Sequence, residues 1–380
     1  METPIIDLLE KYAGAGTLRC HMPGHKGCRR KAVGEVFPLD ITEIKGADSL
    51  FEASGIIRRS EQLISGLYGT ADTLFSAGGS TLCIQGMLAA MKLTGRHVIA
   101  ARNVHRAFLN AAALLDIQPE WLMPEYSGSL LTGEISPERA EEMLCKQKDP
   151  ACLYVTSPDY TGKCADIKAL AEVCHRHGAL LIVDNAHGAH LHFFPESRHP
   201  IALGADMCCD SAHKMLPALT GGAFLHTARP ELAGLLRQGM SMFGSTSPSY
   251  LIMGSLELCG EYIEEEIRRD ILRRLPLISG LKESFSGRLK FAEGEPFHIT
   301  VKAAESGFDG DELGELLRKS GVECEYSDRE LLILLMSPVS PEEDFPRLKE
   351  ALERALSQAK RRKASTEPFA MELPRKAMTI

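Results

Sequence analysis

ALLIVDNAHGAHLHF, residues 179–193, changes character at its sixth residue. Ala179 to Val183 is an apolar run closed by an acid, Asp184. A Gly-containing stretch with His187, His190 and His192 follows. The run has the length and the Ile-Val content of a buried strand, and the stretch reads as the loop that leaves it. An acid and three histidines at such a place suggest a metal shell, since imidazole is the commonest metal ligand. A carboxylate at the end of a buried strand needs a partner of some kind. Which kind depends on what the rest of the chain brings there.

Working outward, the same texture recurs. TLFSA (73–77) precedes Gly-Gly-Ser-Thr and a helical LCIQGMLAAMKL, and HVIAA (97–101) precedes a helix from about His105 to Leu115. ACLYVTS (151–157) precedes a helix from Ile167 to His177, and ADMCCDS (205–211) and GGAFLHT (221–227) follow. Short apolar strands alternating with helices predict βαβ units, hence an α/β fold with a mostly parallel sheet flanked by helices. The polar clusters GGST, NVHR, SPDYTG, DNAHGAH and SAHK each fall just after a strand. In a parallel sheet those positions gather at one edge, where sites form.

Beyond residue 255, residues 256–285 read as one long charged helix. A strand FHITVKA (297–303), a helix DELGELLRKSG (311–321), a strand ELLILLMS (330–337) and a helix over 341–358 come next. The expected organisation is an N-terminal arm (1–60), a large domain (61–255), a smaller C-terminal α+β domain (256–360) and a tail (361–380). The arm includes a short helix around Pro4–Tyr12 and the loop HMPGHKG (21–27).

Of the 380 residues, 44% are hydrophobic and 25% charged, with a formal net charge of −8. That balance argues against a nucleic-acid surface, which wants clustered Lys and Arg. No apolar run reaches the ~18 residues of a membrane span, and the N-terminus does not read as a secretory signal. The 11 cysteines include no CxxC pair, so reduced thiols and a cytoplasmic protein are expected. Cys208 and Cys209 read as strand packing.

Four constellations carry chemistry. In DSAHKML (210–216), Lys214 follows a strand beside Ser211 and His213. A crowded lysine loses its proton more readily and can form a Schiff base, although alone this one reads more readily as a surface lysine. AGGSTLCIQG (77–86) opens a helix whose N–H groups, with Ser80 and Thr81, suit a phosphate; a plain capped helix fits equally. Asp184 suits a protonated heterocyclic nitrogen, a cation or a metal. His105, in NVHRAF, suits a helix cap or a packed ring as well as a catalyst. Together the four are the parts of a pyridoxal-phosphate pocket.

On these residues the chain resembles the Orn/Lys/Arg decarboxylases (major domain), pyridoxal-phosphate enzymes of fold type I with the aspartate-aminotransferase-like architecture. The resemblance spans roughly residues 1–360. It rests on HMPGHKG, DITEIKGADSL (40–50), GGST (78–81), NVHRAF (103–108), SPDYTGKCADI (157–167), VDNAHGAHLHF (183–193), GADMCCDSAHKMLPALTGGAFLH (204–226) and GSTSPSYLIMGSLE (244–257). It implies that Lys214 holds the cofactor covalently and that Asp184 pairs with the pyridine nitrogen. Ala186 would pack on one ring face and His105 on the other. Ser80, Thr81, Ser211 and His213 would hold the phosphate or flank the lysine, and His187 would lie near the ring hydroxyl. Ser245 and Thr246 would reach the partner subunit's cofactor across a homodimer interface, within a dimer or higher oligomer.

The implied reaction is decarboxylation of a basic amino acid (lysine, arginine or ornithine) to its amine, serving polyamine synthesis, with Lys214, His105, His213 and Asp184 as catalytic residues and no metal. Another pyridoxal-phosphate reaction, such as an aminotransferase or lyase step, and a non-catalytic cofactor-binding homologue are the alternatives; a metal-dependent hydrolase is the remote one. His190 and His192 then read as packing or supporting residues. The sequence departs from the family at Asn185, Arg106, Ala107 and the LCIQ after GGST. It also stops at Ile380, where relatives continue through a Pro-rich segment.

Overall fold

The computed structural model describes residues 16–20, 42–43, 46–126 and 131–364. HMPGHKG, the helix expected around Pro4–Tyr12 and most of the tail lie outside these residues.

The chain begins with β1 (Leu18–Cys20), α1 (Ile56–Tyr68), β2 (Asp72–Ser76), α2 (Gly79–Leu93), β3 (His97–Ala101), α3 (Arg106–Leu114) and β4 (Glu120–Leu122). A strand pair, β5 (Glu125–Tyr126) and β6 (Gly133–Glu134), precedes α4 (Pro137–Leu144), β7 (Ala151–Thr156), α5 (Ile167–Arg176) and β8 (Leu180–Asp184). Then come β9 (Met207–Asp210), α6 (Ala212–Met215), β10 (Ala223–Thr227), α7 (Ala233–Ser241), α8 (Tyr250–Glu265) and α9 (Ile267–Phe285). The last elements are β11 (His298–Lys302), α10 (Gly310–Lys319), β12 (Val322–Cys324), β13 (Tyr326–Ser327), β14 (Leu331–Leu335) and α11 (Asp344–Gln358).

Seven strands form the central sheet in the order β2-β10-β9-β8-β7-β3-β4. The ladders joining β9, β8, β7, β3 and β4 are parallel, as the alternation predicts. β10 is the exception and runs antiparallel to both neighbours. Only the four-residue α6 separates it from β9, too little for a crossover, so the chain returns instead of crossing.

The sheet is buried on both faces, which is why its strands read as unbroken apolar runs. Leu180 and Ile182 of β8 pack with α2, α3 and α7, while Leu181 and Val183 pack on the opposite face with α4 and α5. Helices therefore cover both sides, as in α/β folds generally.

The single helix expected over 256–285 is two. α8 starts at Tyr250, capped by Ser249, whose side chain accepts the Ile252 N–H at 3.4 Å, and the course breaks at Glu266 (φ −129°). The break lets two apolar stripes, Leu256-Cys259-Ile263 and Ile267-Ile271-Ile278, enter one core at different angles. β4, the β5–β6 pair, α4, α7, β12 and β13 were not anticipated. Each strand among them has at most three residues, too short for a period to show.

β11, β14 and β13 make a small antiparallel sheet backed by α10 and α11. β1 adds to β12 in parallel, with Leu18 opposite Val322. The N-terminal stretch is thus built into the C-terminal half.

Candidate active site

The parallel strands deliver their polar loops to one edge, as the topology requires. Gly79 opens α2 at φ +67°, a left-handed conformation that suits glycine, and its N–H donates to Gly221 O at 2.7 Å. Ser76 Oγ accepts from Gly78 N–H at 3.2 Å and donates to Gly79 O at 2.9 Å, fixing the turn. No side chain caps α2, so its first N–H groups keep no side-chain partner. Ser80 follows, half-buried, and Thr81 is exposed on the same turn. Ser211 Oγ, fully buried at the end of β9, donates to Ser80 Oγ at 2.9 Å. The two predicted phosphate-side residues therefore meet, although 131 positions separate them.

Lys214 lies on α6, half-buried, with Nζ 2.9 Å from His187 Nε2. Burial pulls its pKa below the ordinary lysine value, against the opposing charges of Asp184 and Glu325. His187 is held uncharged: burial first, then the charge of Lys214, pushes its pKa well down. Asp184, at the end of β8, is 2% exposed and accepts from Ala186 N–H at 3.2 Å and from Cys209 Sγ at 3.7 Å. A neutral thiol, one amide and the neighbouring Tyr154 hydroxyl give the buried acid no cationic hydrogen-bond donor, which fits a protonated ring nitrogen.

His105 is the N-cap of α3: its Nδ1 accepts from Ala107 N–H at 3.1 Å. That bond leaves Nδ1 without a proton and fixes the ring's direction, while the residue stays exposed. Its pKa is lowered by burial, with Asp184 opposing and Lys214 and Arg106 adding. Lys214 thus bonds His187, and Asp184 and Lys214 stand near enough to His105 to shift its proton affinity. His213 turns aside: its Nδ1 lies 2.9 Å from Gly222 O and donates to it. Burial keeps it uncharged. Ser245 and Thr246 sit exposed on the loop before α8, where Ser245 Oγ accepts from Ser247 N–H at 3.2 Å.

The three histidines that first suggested metal diverge. His187 bonds Lys214 and His298, His190 bonds Glu295, and His192 packs on the Tyr68 ring at 5.4 Å. Among the described residues, metal-capable side chains converge instead at His199, Cys208 and Asp210, where the acid is already bonded by His199 and Asn185.

Four residues at the site were not anticipated. His298 Nε2 bonds His187 Nδ1 at 3.0 Å, and His298 Nδ1 in turn contacts Glu295. Tyr160 sets its ring edge against His187 at 5.7 Å and donates its hydroxyl to Glu325 at 3.1 Å. Tyr160 lies inside the quoted SPDYTG cluster, the one available signal; the others follow strands of the small sheet or precede them. A cleft of about 1200 Å³ opens beside the loop after β7, lined by Thr161, Arg198, Glu295 and Lys302, and contains none of the predicted site residues.

A model of the Orn/Lys/Arg decarboxylase family, major domain, matches residues 3–286. The chain belongs to this family. Pyridoxal 5'-phosphate is the family's cofactor, and the donor set around Lys214 fits it: an amine, a carboxylate for the ring nitrogen, and hydroxyls with an uncapped helix start for the phosphate. The chain is 30% identical over 372 residues to an uncharacterized protein, YaaO, of Bacillus subtilis, covering 88% of this chain and 74% of that one. It is 28% identical to the arginine decarboxylase of the same organism, over 100% of this chain and 83% of that one. Lysine decarboxylase A from Pseudomonas aeruginosa shares the fold, with a TM-score of 0.72 at 16% identity. That match covers 92% of this chain and 61% of the solved one. Among the described residues, no helix is long and apolar enough to cross a membrane.

Proposed function

We propose that this family member decarboxylates a basic amino acid to its amine, with arginine the first substrate to test and lysine and ornithine next. The observation that carries the reading is half-buried Lys214, its proton affinity lowered, bonded to uncharged His187 and within reach of the charge of Asp184. When bound, pyridoxal phosphate supplies the electron sink for the departing carboxylate's electrons. Asp184 would keep a proton on the ring nitrogen; Ser80, Thr81, Ser211 and the α2 amides would hold the phosphate; Ala186 and His105 would flank the ring. Lys214 would hold the cofactor and is the group placed to return a proton to the substrate α carbon, whereas His213, turned to Gly222 O, would support the lysine's helix. Glu325, fixed by Tyr160 and felt by Lys214, supplies the negative charge that a cationic side chain needs. Ser245 and Thr246 belong to the partner's site in a homodimer, and the cytoplasm is the place of action.

The purified protein, supplied with pyridoxal phosphate, is expected to absorb in the visible and to release carbon dioxide from arginine, lysine or ornithine. Lys214→Ala should abolish both the band and the release. No band in the wild type would sink the cofactor assignment. A band without carbon dioxide from any basic amino acid would sink the decarboxylase reading and favour another reaction on amino acids.

A further inference from the structure

Five side chains form one unbroken hydrogen-bonded line. Lys214 Nζ meets His187 Nε2 at 2.9 Å, His187 Nδ1 meets His298 Nε2 at 3.0 Å, and His298 Nδ1 meets Glu295 Oε1. Glu295 Oε2 meets His190 Nε2 at 2.8 Å. His187, His298, Glu295 and His190 are 6%, 3%, 1% and 0% exposed, so the line is sealed along its length.

It joins the two sheets. His187 follows β8 of the large sheet, and His298 opens β11 of the small one. Gly162 makes the approach possible: a Cβ there would stand 2.5 Å from His298 Cβ, and its φ of +90° disfavours any side chain. Glu295 N–H donates to Gly162 O at 2.8 Å and Thr300 Oγ1 to Thr161 O at 2.8 Å, so the small sheet is pinned at this point.

A neutral imidazole offers one N–H and one lone pair, so each proton in such a line dictates the next. The one extra proton can sit on Lys214, His187, His298 or Glu295 with every bond satisfied, and two of these arrangements are the end points that matter. In the first, Lys214 is an ammonium donating to His187 Nε2, His187 Nδ1–H donates to His298 Nε2, and His298 Nδ1–H donates to Glu295. In the second, Lys214 is a free amine accepting from His187 Nε2–H, and His298 is an imidazolium donating to both His187 Nδ1 and Glu295. One proton hop at each of two bonds, Nζ to Nε2 and Nδ1 to Nε2, converts the first into the second. Only N–H bonds break and form, and charge is conserved.

We propose that His298 and Glu295 are positioning residues which, with His187, form a proton store for Lys214. The store takes the ammonium proton when Lys214 must be a free amine to bond a carbonyl carbon, and gives it back when the lysine is displaced. This rests on Lys214 being the cofactor anchor.

The electrostatics agree. Burial opposes ionisation of Glu295, but His190 and His298 outweigh it and hold the carboxyl well below its ordinary range, ready to pair with an imidazolium. Other charged and titratable groups surround the line. Asp184 of β8, Cys209 of β9 and Glu325 beyond β12 face Lys214; His105 and His213 face His187; Lys282 of α9 and Cys164 face Glu295.

The test uses the full chain freed of cofactor. Lys214 is acylated with trace acetic anhydride between about pH 6 and pH 10, and its labelling is read by mass spectrometry, giving the midpoint at which the amine becomes reactive. Glu295→Gln keeps the shape but leaves His298 nothing to pair a charge with. His298→Gln keeps hydrogen bonding but cannot take a proton. Both variants are expected to raise the midpoint by about one pH unit, roughly a tenfold loss of labelling at neutral pH. A carboxylate acting only as a nearby negative charge would, once removed, lower the midpoint. An unchanged or lowered midpoint in folded Glu295→Gln therefore overturns the proposal, and so does an unchanged midpoint in folded His298→Gln. If the wild type instead fails to bind pyridoxal phosphate at all, the anchor assignment has failed, and that is visible in its spectrum without either variant.

Discussion

Glu295 and Asp210 are both buried carboxylates held between two imidazoles. Glu295 lies between His190 and His298; Asp210 lies between His199, 2.9 Å away, and His226 at 3.4 Å. Both carboxyls are driven well below their ordinary range by those histidines, against the pull of burial. They differ in what the far histidine touches. His298 hands on to His187 and so to Lys214. His226 hands on only to Thr73 Oγ1, at 2.9 Å, and the other oxygen of Asp210 takes Asn185 Nδ2 at 2.7 Å. The second cluster ends in the Thr73–Thr70 hydroxyl pair and lies against the tilted Tyr68 ring, whose centroid is 5.3 Å from that of His199 and 4.4 Å from that of His226. The same local chemistry thus serves holding in one place and proton traffic in another, and the difference lies in one end contact.

The sharpest way to break this comparison is Asp210→Ala. It strands buried histidines without their acid, and removing one partner of a buried pair costs about 3–5 kcal/mol. The urea midpoint should fall accordingly, while the labelling midpoint of Lys214 stays where it is. If Asp210→Ala moves that midpoint as Glu295→Gln does, the two clusters are not separate.

A smaller effect comes from the reactive side. Glu325→Gln should raise KM for the basic amino acid about tenfold, near 1.4 kcal/mol, with kcat and the urea midpoint little changed. A fall in kcat with KM unmoved would place Glu325 with the proton line rather than with the substrate.

The smallest effect concerns His192, which borders the closed cluster and faces the His199 ring at 5.8 Å. Burial, then His199 and His226, lowers its pKa to about 4, so it is uncharged in the fold at neutral pH. An unfolded histidine titrates near 6.5, so the stability from a neutral His192 is complete above ~6.5 and lost as pH falls toward 4. The share from Asp210 persists until pH drops below about 4, where an unfolded carboxylate begins to take up protons. Thermal melts should therefore decline in two stages on acidification, and His192→Phe should shrink the upper one, which His187, His105 and His213 share.

The sheet was legible because burial on both faces turns β7, β8 and β9 into unbroken apolar runs, and the site because its loops each follow such a run. Lys214, Asp184 and His105 could be singled out from strings that keep chemistry and strand together. The proton line could not. His298 lies 111 positions from His187, and Glu295 lies 105 from His190, and nothing in GEPFHITV distinguishes a buried relay from a polar turn before a strand. The helix break at Glu266 escaped for a related reason. A charged stretch with apolar residues at helical spacing looks alike whether one stripe or two meet the core.

The pairing of β1 with β12 sets a timetable. Leu18, Arg19 and Cys20 leave the ribosome well before their partners Val322, Glu323 and Cys324, which lie on the far side of the whole central sheet in the chain. At ~5–20 residues per second the early strand waits roughly 15–60 s with its backbone unpaired. The central sheet, complete at Thr227, can close in the meantime. The newborn chain thus carries β1 with an open edge while the central sheet is already folded, so nascent-chain pull-downs should find β1 accessible until Cys324 has been made.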